Sequence, residues 1–71
     1  MDNVHILKVR DKDADQEALA IVRSVDGLVA LTLSLEHDGD VQVVFTPAEC
    51  TQLLSLLQNA ITDAQGAVLA A

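Results

Sequence analysis

Leu28-Val29-Ala30-Leu31-Thr32-Leu33-Ser34-Leu35-Glu36-His37-Asp38-Gly39-Asp40-Val41-Gln42-Val43-Val44-Phe45-Thr46-Pro47-Ala48-Glu49-Cys50 is the stretch that decides the fold. Val29, Leu31, Leu33 and Leu35 recur at period two, the spacing of one face of a strand. His37-Asp38-Gly39 is turn chemistry, and Val41 to Phe45 is a second apolar run. Thr46-Pro47-Ala48-Glu49 then reads as a capping box, with Thr46 at the N-cap, Pro47 at the first helical position and Glu49 reaching back. Phe45 and Cys50 occupy the hydrophobic-staple positions on either side. Cys50, Leu53, Leu54, Leu57, Ile61 and Ala64 follow at helical spacing and form one apolar stripe. The hairpin therefore runs into a helix over about 47–65, with Gly66 as the expected stop, although Ala67-Val68-Leu69-Ala70-Ala71 could extend it.

Toward the N-terminus, Asp26-Gly27 sits between two apolar runs, a strong short-range hairpin signal. Val4 to Arg10 is a further β-like run, followed by the polar stretch Asp11 to Gln16. The expected strands are about 4–10, 18–25, 28–36 and 41–45. The predicted fold is α+β: a single domain over 1–71, a four-stranded antiparallel meander with one C-terminal amphipathic helix packed on one face (ββββα). For the second hairpin, a two-residue loop sets Val41, Val43 and Phe45 opposite Glu36, Ser34 and Thr32. A three-residue loop sets Leu35 against Val41, Leu33 against Val43 and Leu31 against Phe45. The second register gathers the large residues on one face and is preferred, although it leaves Glu36 opposite Asp40.

The helix is expected on the face that holds Val29, Leu31, Leu33, Leu35, Val41, Val43 and Phe45, with Ala18, Ala20 and Val22 beside them. The opposite face should then be polar, as in antiparallel sheets with one solvated side. It is not: Leu19, Ile21, Val25, Leu28 and Val44 surround one charge, Arg23. The helix flank adds Leu56, and its nominally exposed side (Thr51, Gln52, Ser55, Gln58, Asn59, Thr62) carries no charge. Leu19, Ile21, Val25, Leu28, Val44 and Leu56 are therefore the expected oligomer interface.

Size points the same way. With 71 residues, 51% hydrophobic, the chain has little interior in which to place its apolar side chains. One cysteine excludes an internal disulfide, and no zinc-type cluster can be assembled around it, so a homo-oligomer, most simply a homodimer, is the expected source of stability. A free thiol and an N-terminus without signal-peptide character predict a cytoplasmic protein, and no apolar run reaches membrane-spanning length.

Charge is one-sided: 11 Asp+Glu against 4 Lys+Arg, a net charge of -7. A meander puts the loops after the first and third strands at one end. Asp11, Asp13, Asp15, Glu17, Glu36, Asp38 and Asp40 are thus expected to form an acidic pole, either solvated or able to dock a basic partner. Asp11-x-Asp13-x-Asp15 invites comparison with a calcium loop, but Gln16 stands where glycine must turn and Val22 where the bidentate Glu must bind. Lys8, Arg10 and Lys12 form a short basic stripe without Trp or Tyr beside it, which argues against nucleic-acid binding. Cys50 reads as a packed staple residue. No nucleophile motif, paired-carboxylate cleft or phosphate-cradling glycine loop is present, so neither catalytic residues nor a cofactor or metal is assigned.

The order of four strands and a helix, with the strand-cap-helix stretch from Val41 to Asn59, is similar to the Whirly-like single-stranded-DNA-binding coactivators. The resemblance implies a dimer that binds single-stranded DNA. The chain departs from that family in charge and in lacking stacking aromatics, and no binding residue carries over. The residues themselves favour a small self-associating protein-interaction module without catalytic activity. The alternatives are an acidic inhibitor or adaptor docking a basic protein surface, and a Whirly-like DNA-binding dimer.

Overall fold

The computed structural model describes residues 3–70, with side chains over 3–67. Four strands, β1 (Asn3–Asp11), β2 (Gln16–Val25), β3 (Leu28–Leu35) and β4 (Gly39–Phe45), form one antiparallel sheet in the order β1-β2-β3-β4. Helix α1 (Pro47–Ala70) follows. The α+β meander with a C-terminal helix is thus the observed architecture. Met1, Asp2 and Ala71 of the expected domain lie outside the described residues.

Turn chemistry sets the sheet. Asp26 and Gly27 both have positive φ (52° and 77°), the pair of left-handed residues that a two-residue type I′ hairpin requires. The β3–β4 turn ends at Gly39, with φ of 83°. Open space surrounds the position a Gly39 Cβ would take, so an alanine there meets no atom and is penalised only by its backbone. Gly39→Ala should cost about 1–2 kcal/mol in a urea melt.

The pairing of β3 with β4 differs from the expected register by one two-residue step. Leu33 faces Val41, Leu31 faces Val43 and Val29 faces Phe45. A two-residue slip keeps every side chain on its face, so face assignment cannot detect it. Polar pairs choose between the two. The observed register sets Ser34 beside Asp40 and Thr32 beside Gln42, where Ser34 Oγ donates to Asp40 Oδ1 at 2.7 Å and Thr32 Oγ1 donates to Gln42 Oε1 at 3.0 Å. The like-charge pair Glu36–Asp40 disappears with it.

The helix begins as the capping box requires. Thr46 N donates to Glu49 Oε1 at 2.9 Å, and Glu49 N donates to Thr46 Oγ1 at 3.2 Å. It does not stop at Gly66 but runs to Ala70. Gly66 keeps a negative φ, and the following Ala67-Val68-Leu69-Ala70 contains neither a capping residue nor proline.

The helix meets only β3 and β4 among the strands with which it makes a substantial contact. Its first turns, through Cys50, Leu53, Leu54 and Leu57, close a groove with Val22, Val29, Leu31 and Phe45. The staple pair Phe45 and Cys50 is half-buried there. The rest of the sheet face is open. Among the described residues, the buried apolar side chains are small, Ala18 and Ala30.

Candidate interaction surfaces

Side-chain alternation separates two sheet faces. On the outer face, away from the helix, the register brings together Leu19, Ile21, Val25, Leu28 and Val44 as the sequence predicts. Leu19, Ile21 and Val25 are half-buried among their neighbours, whereas Leu28 and Val44 are exposed. Leu56 is exposed on the helix, which packs against the other face, so it is not continuous with these five residues. A shallow groove lined by Arg23, Val25, Leu28, Ala30, Gln42 and Val44 crosses this face. A larger depression of about 360 Å³ lies between Lys8, Glu17, Leu19, Ser34 and Glu36.

The helix-side face was expected to be covered, and it is covered only at one end. The cross-strand rows show this. Leu31 and Phe45 border the helix and Val22 of β2 lines the same groove, but the row Leu7–Ala20–Leu33–Val41 and the row Val9–Ala18–Leu35–Gly39 lie beyond it. Leu7, Val9, Leu33 and Val41 are all exposed there, and so is Val43 beside Leu31. On the helix, Leu54, Leu57 and Ile61 of the apolar stripe are exposed too. Helical periodicity identifies the apolar stripe but says nothing of where the helix axis crosses the sheet, so this open half could not be read from the sequence.

The acidic pole is assembled by a residue that the sequence reading did not single out. Gln16, at the start of β2, is 2% exposed. Its Nε2 donates to Asp38 Oδ2 at 2.6 Å and to Asp11 Oδ2 at 3.4 Å, while its Oε1 accepts from the His37 backbone N–H at 2.9 Å. Glu36 N donates to the Glu17 carbonyl at 3.0 Å, and Glu17 N donates to Glu36 Oε1 at 3.3 Å. Asp11, Glu17, Glu36 and Asp38 therefore do come together. The only signal in the sequence was an amide placed just after an Asp-rich turn.

The other acidic residues are partly engaged. Arg10 Nε meets Asp15 Oδ1 at 3.0 Å, Lys8 lies 3.5 Å from Glu17, and Asp40 is held by Ser34. Lys12 falls in the turn after β1 rather than in the strand, and its Nζ donates to the Arg10 carbonyl. The basic stripe thus reduces to Lys8 and Arg10, both turned to acidic neighbours. Asp13 is exposed, and its N–H donates to Asp11 Oδ1 at 3.0 Å.

That backbone hydrogen bond from Asp13 is the main reason why the Asp11 carboxyl is held below its ordinary value of 3.8; the Gln16 amide, the Ala14 N–H and the Lys12 charge add to it, against desolvation. A folded-state value below the unfolded one stabilises the protein above the unfolded pKa, and that stabilisation is lost as pH falls through the folded value. Asp11→Asn should therefore flatten the acid limb of the stability curve below about pH 4, measured as the urea midpoint against pH.

Among the described residues, no group of three His, Cys, Asp or Glu is arranged to hold a metal ion, and no helix is long and apolar enough to cross a membrane. Compared with known proteins, the chain matches no family, no curated protein and no solved structure.

Proposed function

We propose that this chain is a non-catalytic protein-interaction module that works as a homodimer. One observation carries the reading. The chain exposes 5651 Å², whereas a folded monomer of 7.5 kDa exposes roughly 4,200 Å². The surplus is roughly 1,400 Å² per chain, or roughly 2,800 Å² for a pair, inside the range of about 2,000–5,000 Å² that obligate homodimers bury. Large apolar side chains lie exposed on both sheet faces and on the helix, among them Ile6, Leu7, Val41, Leu54 and Leu57. A dimer whose folding is coupled to assembly melts at a temperature that rises with protein concentration. Calorimetry over about a hundredfold range of concentration should show that rise; a constant melting temperature contradicts the proposal.

The acidic pole supports a second, subordinate reading as a dock for a basic protein. Its carriers are Asp11 and Asp38, fixed around Gln16, and Glu36, held by the Glu17 N–H, rather than three residues on independent loops. Salt-sensitive binding of a basic partner, weakened by Asp38→Asn, would support it. Binding unaffected by that change would remove it.

A further inference from the structure

The homodimer reading leaves open which surface pairs, and the two sheet faces offer different answers. On the helix side, the open rows have a relief. Ala18 and Ala20 of β2 form a low floor between Leu7 and Val9 of β1 and Leu33 and Leu35 of β3, which pair across them. Ala18 is already 7% exposed in the single chain, while Leu7 on the rim is 62% exposed. That is a trough with apolar walls. On the same side of the same chain, the helix carries a ridge to match: Leu54, Leu57 and Ile61, spaced three and four apart and all exposed although they belong to the packed stripe. Ridge and trough are both left uncovered, because a single chain brings only the first turns of its own helix to the sheet. The outer face has no such counterpart. It is broken by Lys8, Arg10, Glu17, Arg23 and Asp40, and no uncovered helix stripe lies on that side.

We infer that the second copy of this chain docks on the helix side of the sheet, its Leu57–Ile61 ridge seated in the Ala18–Ala20 trough of the first, with the exchange reciprocal. This rests on the homodimer reading and gives it a geometry. A two-fold axis is the arrangement in which each chain's ridge meets the other's trough at once and the assembly closes as a dimer, whereas a one-way contact would leave both unpaired at the ends of an open chain. The outer face, including Leu19, Ile21, Val25, Leu28 and Val44, then stays free of the dimer contact. The partner helix covers the surface where the chain's own helix stops short.

Two neighbouring residues in β1 provide a matched test. Ile6 and Leu7 are 63% and 62% exposed and point to opposite faces, so a glutamate at either position costs the isolated chain the same. Leu7→Glu buries a carboxylate at the proposed contact and should raise the dimer dissociation constant by about 100-fold or more, read by sedimentation. Ile6→Glu should leave it within a few-fold of wild type. A Leu7→Glu chain that is monomeric or unfolded where Ile6→Glu is a folded dimer supports the inference. Equal effects of the two changes, or dissociation by Ile6→Glu alone, overturn it while leaving the homodimer standing. A monomeric wild-type chain removes both. Cysteine pairing identifies the helix as the occupant. In a Cys50→Ala background, Leu7→Cys chains mixed with mass-tagged Ile61→Cys chains should cross-link through a short bis-maleimide. Ile6→Cys chains should not, and equal yields from the two mixtures contradict the seating.

Discussion

Phe45→Ala is expected to lower stability by about 2–3 kcal/mol and to loosen the helix from the sheet. Phe45 is the one aromatic residue in the chain, and it stands at the end of β4 against Cys50 of the first helical turn. It lines, together with Val22, Val29, Leu31, Leu53 and Leu57, the groove between the sheet and the first turns of the helix. Complete burial of a phenylalanine would put the loss near 3–5 kcal/mol. Phe45 is only half-buried, so the smaller figure applies. Urea unfolding at fixed protein concentration measures it, since stability here is tied to assembly. Circular dichroism should show helical signal lost before strand signal. A cost below about 1 kcal/mol would mean that the helix is held elsewhere.

Gln16→Leu is the second large effect, at about 3 kcal/mol. The change removes the amide that serves Asp38, Asp11 and the His37 N–H together, and it strands that backbone donor beside a buried apolar group. A buried polar group without a partner costs about 1–3 kcal/mol, and a lost hydrogen bond to a charged group adds to it. Gln16→Glu separates charge from shape. The side chain keeps its size, but a third carboxylate now sits between Asp11 and Asp38. Its destabilisation should be large at neutral pH and shrink as the medium is acidified through the carboxylate range. A Gln16→Glu protein whose deficit is independent of pH would show that the amide acts by packing alone.

These two residues mark where sequence reasoning succeeds and where it stops. Thr46, Pro47 and Glu49 announce the helix start because a capping box is satisfied within four residues of chain. Asp26-Gly27 announces its hairpin because two left-handed residues are needed side by side. Both signals are local, and both are realised in the hydrogen bonds and dihedrals of the structure. The β3–β4 register was legible only to within a two-residue step, because Leu31, Leu33, Val41 and Val43 keep their face in either pairing. Ser34 with Asp40 and Thr32 with Gln42 distinguish the two, and their weight is small beside the apolar pattern. Gln16 escaped notice because its partners come from both neighbouring turns, one of them 22 residues away. The sequence left the helix end open between Gly66 and an extension beyond it, because Gly66 is a capping residue only when the chain turns left-handed there, and this one does not.

The surfaces follow the same division. The five outer-face residues were grouped correctly by strand alternation, which is a local property. That the helix would leave half of its own sheet face bare depends on its axis, which no spacing encodes. The interface expected from the sequence lies on the outer face, and the dimer contact inferred above lies on the helix side, where the helix leaves apolar residues uncovered.

The surplus of exposed surface, and the large apolar side chains within it, underlie both the proposed homodimer and its geometry. Sedimentation equilibrium at micromolar concentration tests it most directly. The predicted result is a folded species of twice the 7.5 kDa chain mass. A stable, folded species at the single-chain mass would contradict the account.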